Sequence, residues 1–178
     1  MDRRSVLKQL ALLGGGILLA PSCSFDSERL SVALDNLDIT PDQERSLADV
    51  VETMIPATDS PGGKELKLHE FVLIMVDDCR SEEDQQLFVT GLQDLDPFFK
   101  EEFGSSFSES TALQKEDLMA KVLEEKESPN ADFPAVEPFL SMTKRYSIRG
   151  FLTSQYVMTE ELPYKLVPGS FDGCVKLS

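Results

Sequence analysis

From residue 40 onward, apolar residues recur every three or four positions in segments divided by turn residues, and no stretch alternates apolar with polar as a sheet requires. A recurrence near 3.6 gathers side chains on one face of a helix, whereas a strand repeats every second residue. The chain is therefore expected to be all-α, a single compact domain of about five helices with an extended C-terminal tail.

The helix starts are legible as capping chemistry. Thr40 as N-cap, Pro41 at the first helical position and Gln43 three residues after the cap form a capping box. Behind it Leu47, Val50, Val51, Met54 and Ile55 mark an inner face, Asp42, Glu44, Arg45, Asp49 and Glu52 an outer one, and Pro56 ends the helix. A second helix is expected from about Leu66 to Cys79; with Leu68, Phe71, Val72, Met75 and Val76 around most of its girth, it is expected to sit centrally. Ser81, followed by Glu82, Glu83 and Asp84, opens a third, with Leu87, Phe88, Gly91, Leu92 and Leu95 at helical spacing and a fresh turn at Asp96 and Pro97. Ser110 and Thr111 open a fourth, from about Ala112 to Lys126, with Leu113, Leu118, Met119, Val122 and Leu123 inward. The longest helical stretch runs from Ala135 to about Met158, with Phe139, Leu140, Met142, Thr143, Tyr146, Phe151, Leu152 and Tyr156 on its buried side, and Gly150 marks either a kink or a close helix contact. Six of the eleven phenylalanines lie between Phe71 and Phe107, and without convergent polar groups beside them they read as core rather than cofactor pocket.

The first residues say where such a domain works. Arg3, Arg4 and Lys8 precede an apolar run from Leu10 to Ala20 and then Pro21, Ser22 and Cys23, the layout of a cleavable export signal. The run is diluted by Gly14, Gly15 and Gly16 and is well short of the roughly 20 residues that span a bilayer. Arg3, Arg4, Leu7 and Lys8 resemble the twin-arginine signal, which implies export in the folded state, and Cys23 resembles a lipoprotein processing site. The organisation expected is a signal at 1–22, a tether at 23–38 and a helical domain at 39–178. Leu30, Val32, Leu34 and Leu37 leave a second reading of the tether open, an arm packed on the domain.

The formal charge of −15 over 178 residues becomes about −17 once the signal is removed. Nucleic acid is excluded as a partner, since its phosphates are bound by lysine and arginine clusters. Among motifs, Pro61, Gly62, Gly63 and Lys64 lack the spacing of a phosphate loop and read, with the residues from Ile55 on, as turn chemistry. His69, the single histidine, does not make a metal site with Glu70 alone and is expected at the surface or in a cap. Ser154 and Asp172 lack a nucleophile elbow, and no dinucleotide fingerprint or haem-attachment motif is present, so no catalytic residue, metal site or cofactor site is expected in this chain.

The signal, the helix entered through Thr40 and Pro41, the Ile55–Gly62 segment, the stretch Gly91–Asp96, the helix with Thr153 and Ser154, and the ending from Val167 to Val175 together resemble the gluconate 2-dehydrogenase subunit 3 family. The resemblance implies a non-catalytic small, or gamma, subunit. Its partner would be a flavin-dependent dehydrogenase of the glucose-methanol-choline type, carrying FAD and oxidising a sugar or sugar acid. A c-type cytochrome with haem c would take the electrons, and the subunit would carry its partner through the twin-arginine machinery into the periplasm and hold it at the membrane by a lipid anchor. The family motif, Pro56, Ala57, Thr58, Asp59, Pro61 and Gly62 with Pro168, Gly169, Gly173 and Cys174, is then the expected partner interface. In an oxidising compartment Cys79 and Cys174 would pair, stay as buried thiols, or bond to the large subunit. The other class of function is a self-standing periplasmic lipoprotein acting as a scaffold or ligand-binding module.

Overall fold

A computed structural model describes residues 29–125, 132–162, 167 and 169. The signal residues Arg3, Arg4, Leu7 and Lys8, the Cys23 site, and Pro168, Gly173 and Cys174 of the tail lie outside the described residues. Among the described residues five α-helices form, α1 (Pro41–Met54), α2 (Leu68–Cys79), α3 (Glu82–Phe103), α4 (Ala112–Glu125) and α5 (Val136–Leu152), followed by a π-helical turn at Val157–Glu161. No strand occurs among the described residues, as the apolar spacing predicts.

The caps form as the sequence indicates. Thr40 Oγ1 accepts the Gln43 N–H, and Gln43 Oε1 accepts the Thr40 N–H at 2.7 Å. Ser81 accepts the Asp84 N–H at 3.3 Å, and Thr111 and Gln114 exchange the same reciprocal pair at the head of α4. Each satisfies amides that the first helical turn leaves without partners.

The central helix is α5, not α2: it packs on all four other helices and most extensively on α3. Phe139 of α5 meets Phe88 of α3 edge-on at 5.1 Å, and both are fully buried. Gly91 lets the two backbones close, since a Cβ there would stand 2.3 Å from the Ala135 carbonyl oxygen and 2.4 Å from Phe139 Cβ. Gly150 marks a close contact rather than a kink, with Phe71 of α2 against it. At the α2–α3 corner, Arg80 lies over the Tyr146 ring, donates to its hydroxyl at 2.8 Å and pairs with Asp84 at 3.2 Å.

Several expectations are corrected. The third helix does not restart at Pro97; α3 runs through it to Phe103. Proline withholds one backbone donor, but Phe98 and Phe99 beyond it are fully buried, and that burial holds the last turns. Asp96 reaches outward instead, accepting the Phe107 N–H at 2.9 Å and fixing the turn that follows Gly104. Leu113 and Leu152, placed inward from spacing, are 77% and 56% exposed. Glu44, assigned to the outer face of α1, is buried.

Glu44 is buried because the chain before α1 covers it. Residues 30–38 are not a free tether; from Leu30 on they form the arm of the alternative reading, with Leu37 and Ile39 buried and Leu30, Val32 and Leu34 packed on the core. Two carboxylates pin this arm. Glu44 accepts the Ser31 N–H at 3.1 Å and bonds the Ser31 hydroxyl. Asp77 of α2 accepts the N–H groups of Asp35, Asn36 and Leu37 at 2.8–2.9 Å, while the Asn36 amide donates to the Asp77 carbonyl at 3.0 Å. Burial pushes the Asp77 pKa up, but the three backbone hydrogen bonds outweigh it and hold the pKa below the ordinary 3.8.

Two outcomes follow from this packing. Gly91→Ala is expected to destabilise the domain by about 3 kcal/mol or more, because the obstructing atoms include backbone, and calorimetric or urea unfolding measures it. Asp77→Asn is expected to cost about 2 kcal/mol near neutral pH. Because the folded pKa of Asp77 is depressed, its contribution is full above about pH 4 and is lost as the pH falls through the folded value, so the wild-type advantage over Asp77→Asn shrinks on acidification. A constant gap between their urea midpoints across that range would refute the assignment.

Candidate docking surface

The turn after α1 is built by Glu52, in the last turn of that helix. Its carboxylate accepts the Ala57 N–H at 3.3 Å and the Lys64 N–H at 2.8 Å, bridging the two ends of the loop. The Gly63 N–H returns to the Ile55 carbonyl at 2.8 Å, and Thr58 and Ser60 close a tight turn at the tip. Gly62 and Gly63 press on α1 so closely that a Cβ on Gly62 would lie 2.6 Å from Glu52 Oε1, and one on Gly63 2.6 Å from Val51 Cγ1. The family-motif residues thus divide by role. Gly62 is buried and structural, whereas Pro56, Ala57, Thr58 and Asp59 are presented to solvent and Pro61 is half-buried.

This geometry also disposes of a phosphate loop. The amides of Gly63 and Lys64 are consumed by Ile55 and Glu52, and the Lys64 ammonium pairs with Asp49 of α1. An anion cradle needs those donors free. Ser154 is likewise a turn residue, its hydroxyl accepting the Val157 N–H at 3.3 Å, and Asp172 lies outside the described residues.

His69 is not at the surface. Its side chain is 14% exposed, with Nε2 3.9 Å from Glu44 Oε1 and Nδ1 buried without a partner. Desolvation lowers its pKa from 6.5 against the opposing charges of Glu44 and Glu70, while Lys67 and Lys64 add to the lowering. Its burial disfavours the charged imidazole, and among the described residues no three or more histidine, cysteine, aspartate or glutamate side chains converge to hold a metal.

An apolar surface flanks the motif loop. Met54, one residue before the cap of α1, joins Thr53, Met119, Leu123 and Ile148 around a cleft of about 200 Å³. Glu116 and Lys144 stand beside it. Ile148 is 46% exposed, and Leu152, one turn further along α5, continues the apolar strip. Where α5 ends, the Tyr156 hydroxyl donates to Glu161; that bond and the nearby acids, Asp59 of the motif loop among them, raise its pKa. Cys79 is exposed and has no disulfide partner among the described residues, Gly169 is exposed, and the expected partner of Cys79, Cys174, lies outside the described residues. Sequence reasoning missed the roles of Glu52 and Asp77. The available signal for Asp77 was an acid on the apolar side of α2, one turn after Leu73 and next to Val76.

Glu52→Ala is expected to leave the helices folded, to cost about 1 kcal/mol, and to speed amide exchange at Lys64 and Ala57 with no change along α5. Unchanged exchange at Lys64 would show that the loop is held by other means.

Comparison with curated proteins and with solved structures finds no match. The family model described as gluconate 2-dehydrogenase subunit 3 matches residues 41–169, from the first residue of α1 through the last described residue of the tail. That span covers every helix described above and the Glu52-built loop. The chain belongs to the gluconate 2-dehydrogenase subunit 3 family.

Proposed function

We propose that this chain is the non-catalytic accessory subunit of a periplasmic flavin-dependent sugar or sugar-acid dehydrogenase, and that it escorts the flavoprotein through twin-arginine export and holds it near the membrane. The observation that carries the reading is the match of the subunit 3 family over the whole helical domain. The surface fits an accessory role: the family's most specific motif is a rigid loop with an exposed tip beside an apolar cleft, suited to contact rather than to catalysis. FAD belongs to the large subunit in this reading, and haem c to a cytochrome partner.

The leader supplies the rest. Arg3, Arg4, Leu7 and Lys8 would engage the export machinery, which accepts folded cargo, so a flavoprotein could fill its cofactor site before crossing. Cys23 would take the lipid anchor. The arm suits this role because it ties the end of the leader to the folded domain through Glu44 and Asp77.

Tagged wild-type chain, expressed at native level and recovered from periplasm and membrane, is expected to bring with it a protein with a flavin absorbance spectrum. Arg3→Lys with Arg4→Lys is expected to remove both from the periplasm, and Cys23→Ala to move them from the membrane to the soluble fraction. Recovery of the wild-type chain alone and colourless would overturn the reading.

A further inference from the structure

On a molecule with formal charge −15, basic side chains have carboxylates within easy reach, and five of the eleven described ones use them. Arg45, Lys64, Lys67, Arg80 and Lys121 each pair with an acid, Lys115 lies over the Phe107 ring, and Arg29 has a partner. Among the described residues that leaves Lys100, Lys144, Arg145 and Arg149 without an ion pair or ring contact, and the last three share one exposed face of α5. Positions 144, 145, 148, 149 and 152 lie within about 140° of helical arc, at 100° per residue. The face therefore alternates Lys144, Arg145 and Arg149 with exposed Ile148 and Leu152, and it runs into the Met54 cleft through Lys144 and Ile148.

We propose that this face of α5 is the docking site for an acidic ridge of the dehydrogenase subunit, one apolar side chain of which enters the Met54–Ile148 cleft. The proposal rests on the accessory-subunit reading above and adds the surface and its chemistry. Charge complementarity identifies the occupant: three unpaired cations set in an acidic surface attract carboxylates there and repel them elsewhere, which fixes orientation and speeds encounter. The cleft fixes its shape. A cavity of about 150 Å³ holds a benzene ring, so about 200 Å³ accepts one aromatic or branched side chain. A bilayer surface is the poorer match, since each cation near anionic lipid contributes only about 1 kcal/mol and the net charge opposes approach.

The test uses the full chain and the flavoprotein that wild type captures. The triple variant Lys144→Glu, Arg145→Glu, Arg149→Glu is expected to keep the wild-type melting temperature, because all three side chains are exposed, and to bind at least about 100-fold more weakly. Wild-type affinity is expected to fall with added salt and that of the triple variant to lose this dependence. Leu152→Ser is expected to weaken binding at any salt concentration, while Lys100→Glu, the unpaired cation off this face, is expected to match wild type. Wild-type affinity and salt dependence in the triple variant would overturn the proposal while leaving the subunit reading intact. The same result with lost sedimentation on phosphatidylethanolamine and phosphatidylglycerol vesicles would reassign the face to lipid. Failure of wild type to capture any flavoprotein would overturn both readings.

Discussion

The close approach of α3 and α5 at Gly91 is the contact on which the remaining packing depends. With no side chain at Gly91, the Ala135 carbonyl and Phe139 sit against the α3 backbone, and Phe88 and Phe139 meet edge to face. That closeness makes α5 a central post with a buried side for each of the other helices. It also decides what α5 exposes. A helix committed inward through Phe139, Leu140, Thr143 and Tyr146 leaves Lys144, Arg145, Ile148, Arg149 and Leu152 outside, so the core and the proposed docking face are two sides of one element.

Acidic composition has a structural use here beyond solubility. Four carboxylates act as acceptors for backbone amides of irregular segments: Glu44 for Ser31, Glu52 for Ala57 and Lys64, Asp77 for residues 35–37, and Asp96 for Phe107. Each joins an irregular stretch of chain to a helix, and an ionised acceptor makes a stronger bond than a neutral one. Asp77 shows the balance: desolvation disfavours its charge, three amides favour it, and the amides prevail. The described residues in this way hold their loops to the helices without a strand or a disulfide among them.

The fold class, the caps at Thr40 and Ser81 and the starts of the helices were legible because capping and 3.6-residue periodicity are local, whereas the ends of α3, at Phe103 rather than before Pro97, and of α5, at Leu152 rather than near Met158, were not. What depends on partners distant in sequence was not. Leu113 and Leu152 have the spacing of core residues, yet no element covers them, and hydrophobic periodicity gives a face without saying what lies opposite. Glu44 looks like a surface residue until the arm, 13 positions before it at Ser31, folds over that side of α1, and His69 lies beside that carboxylate. Pro97 signals a helix break, but the burial of Phe98 and Phe99 overrides a single missing donor. At the docking surface, the loop residues were visible as a motif, whereas the Glu52 carboxylate that shapes them and the cleft beside them required the packed structure. The basic side chains of α5 could be read off directly, but that they are unpaired is a property of the whole surface.

The pinned arm has a consequence for the proposed export route. A leader on a flexible tether could be offered to the membrane from any side of its cargo. Here the chain is bound from Ser31 onward, so only seven residues stand between Cys23 and the first anchored position, and the eight steps between them, at full extension of roughly 3.5 Å each, reach about 28 Å. That is less than the roughly 30 Å hydrocarbon thickness of a bilayer. A domain on so short a leash would be held with its arm side toward the membrane surface, and a large partner must then dock where it does not crowd that side. Ser31 and Asp77 anchor the arm near the start of α1 and the end of α2, whereas the Met54 cleft opens at the opposite end of α1, more than two helical turns away. In the proposed role the chain would present its leader and its cargo at once, and the two buried carboxylates that fix the arm would keep the two sites apart.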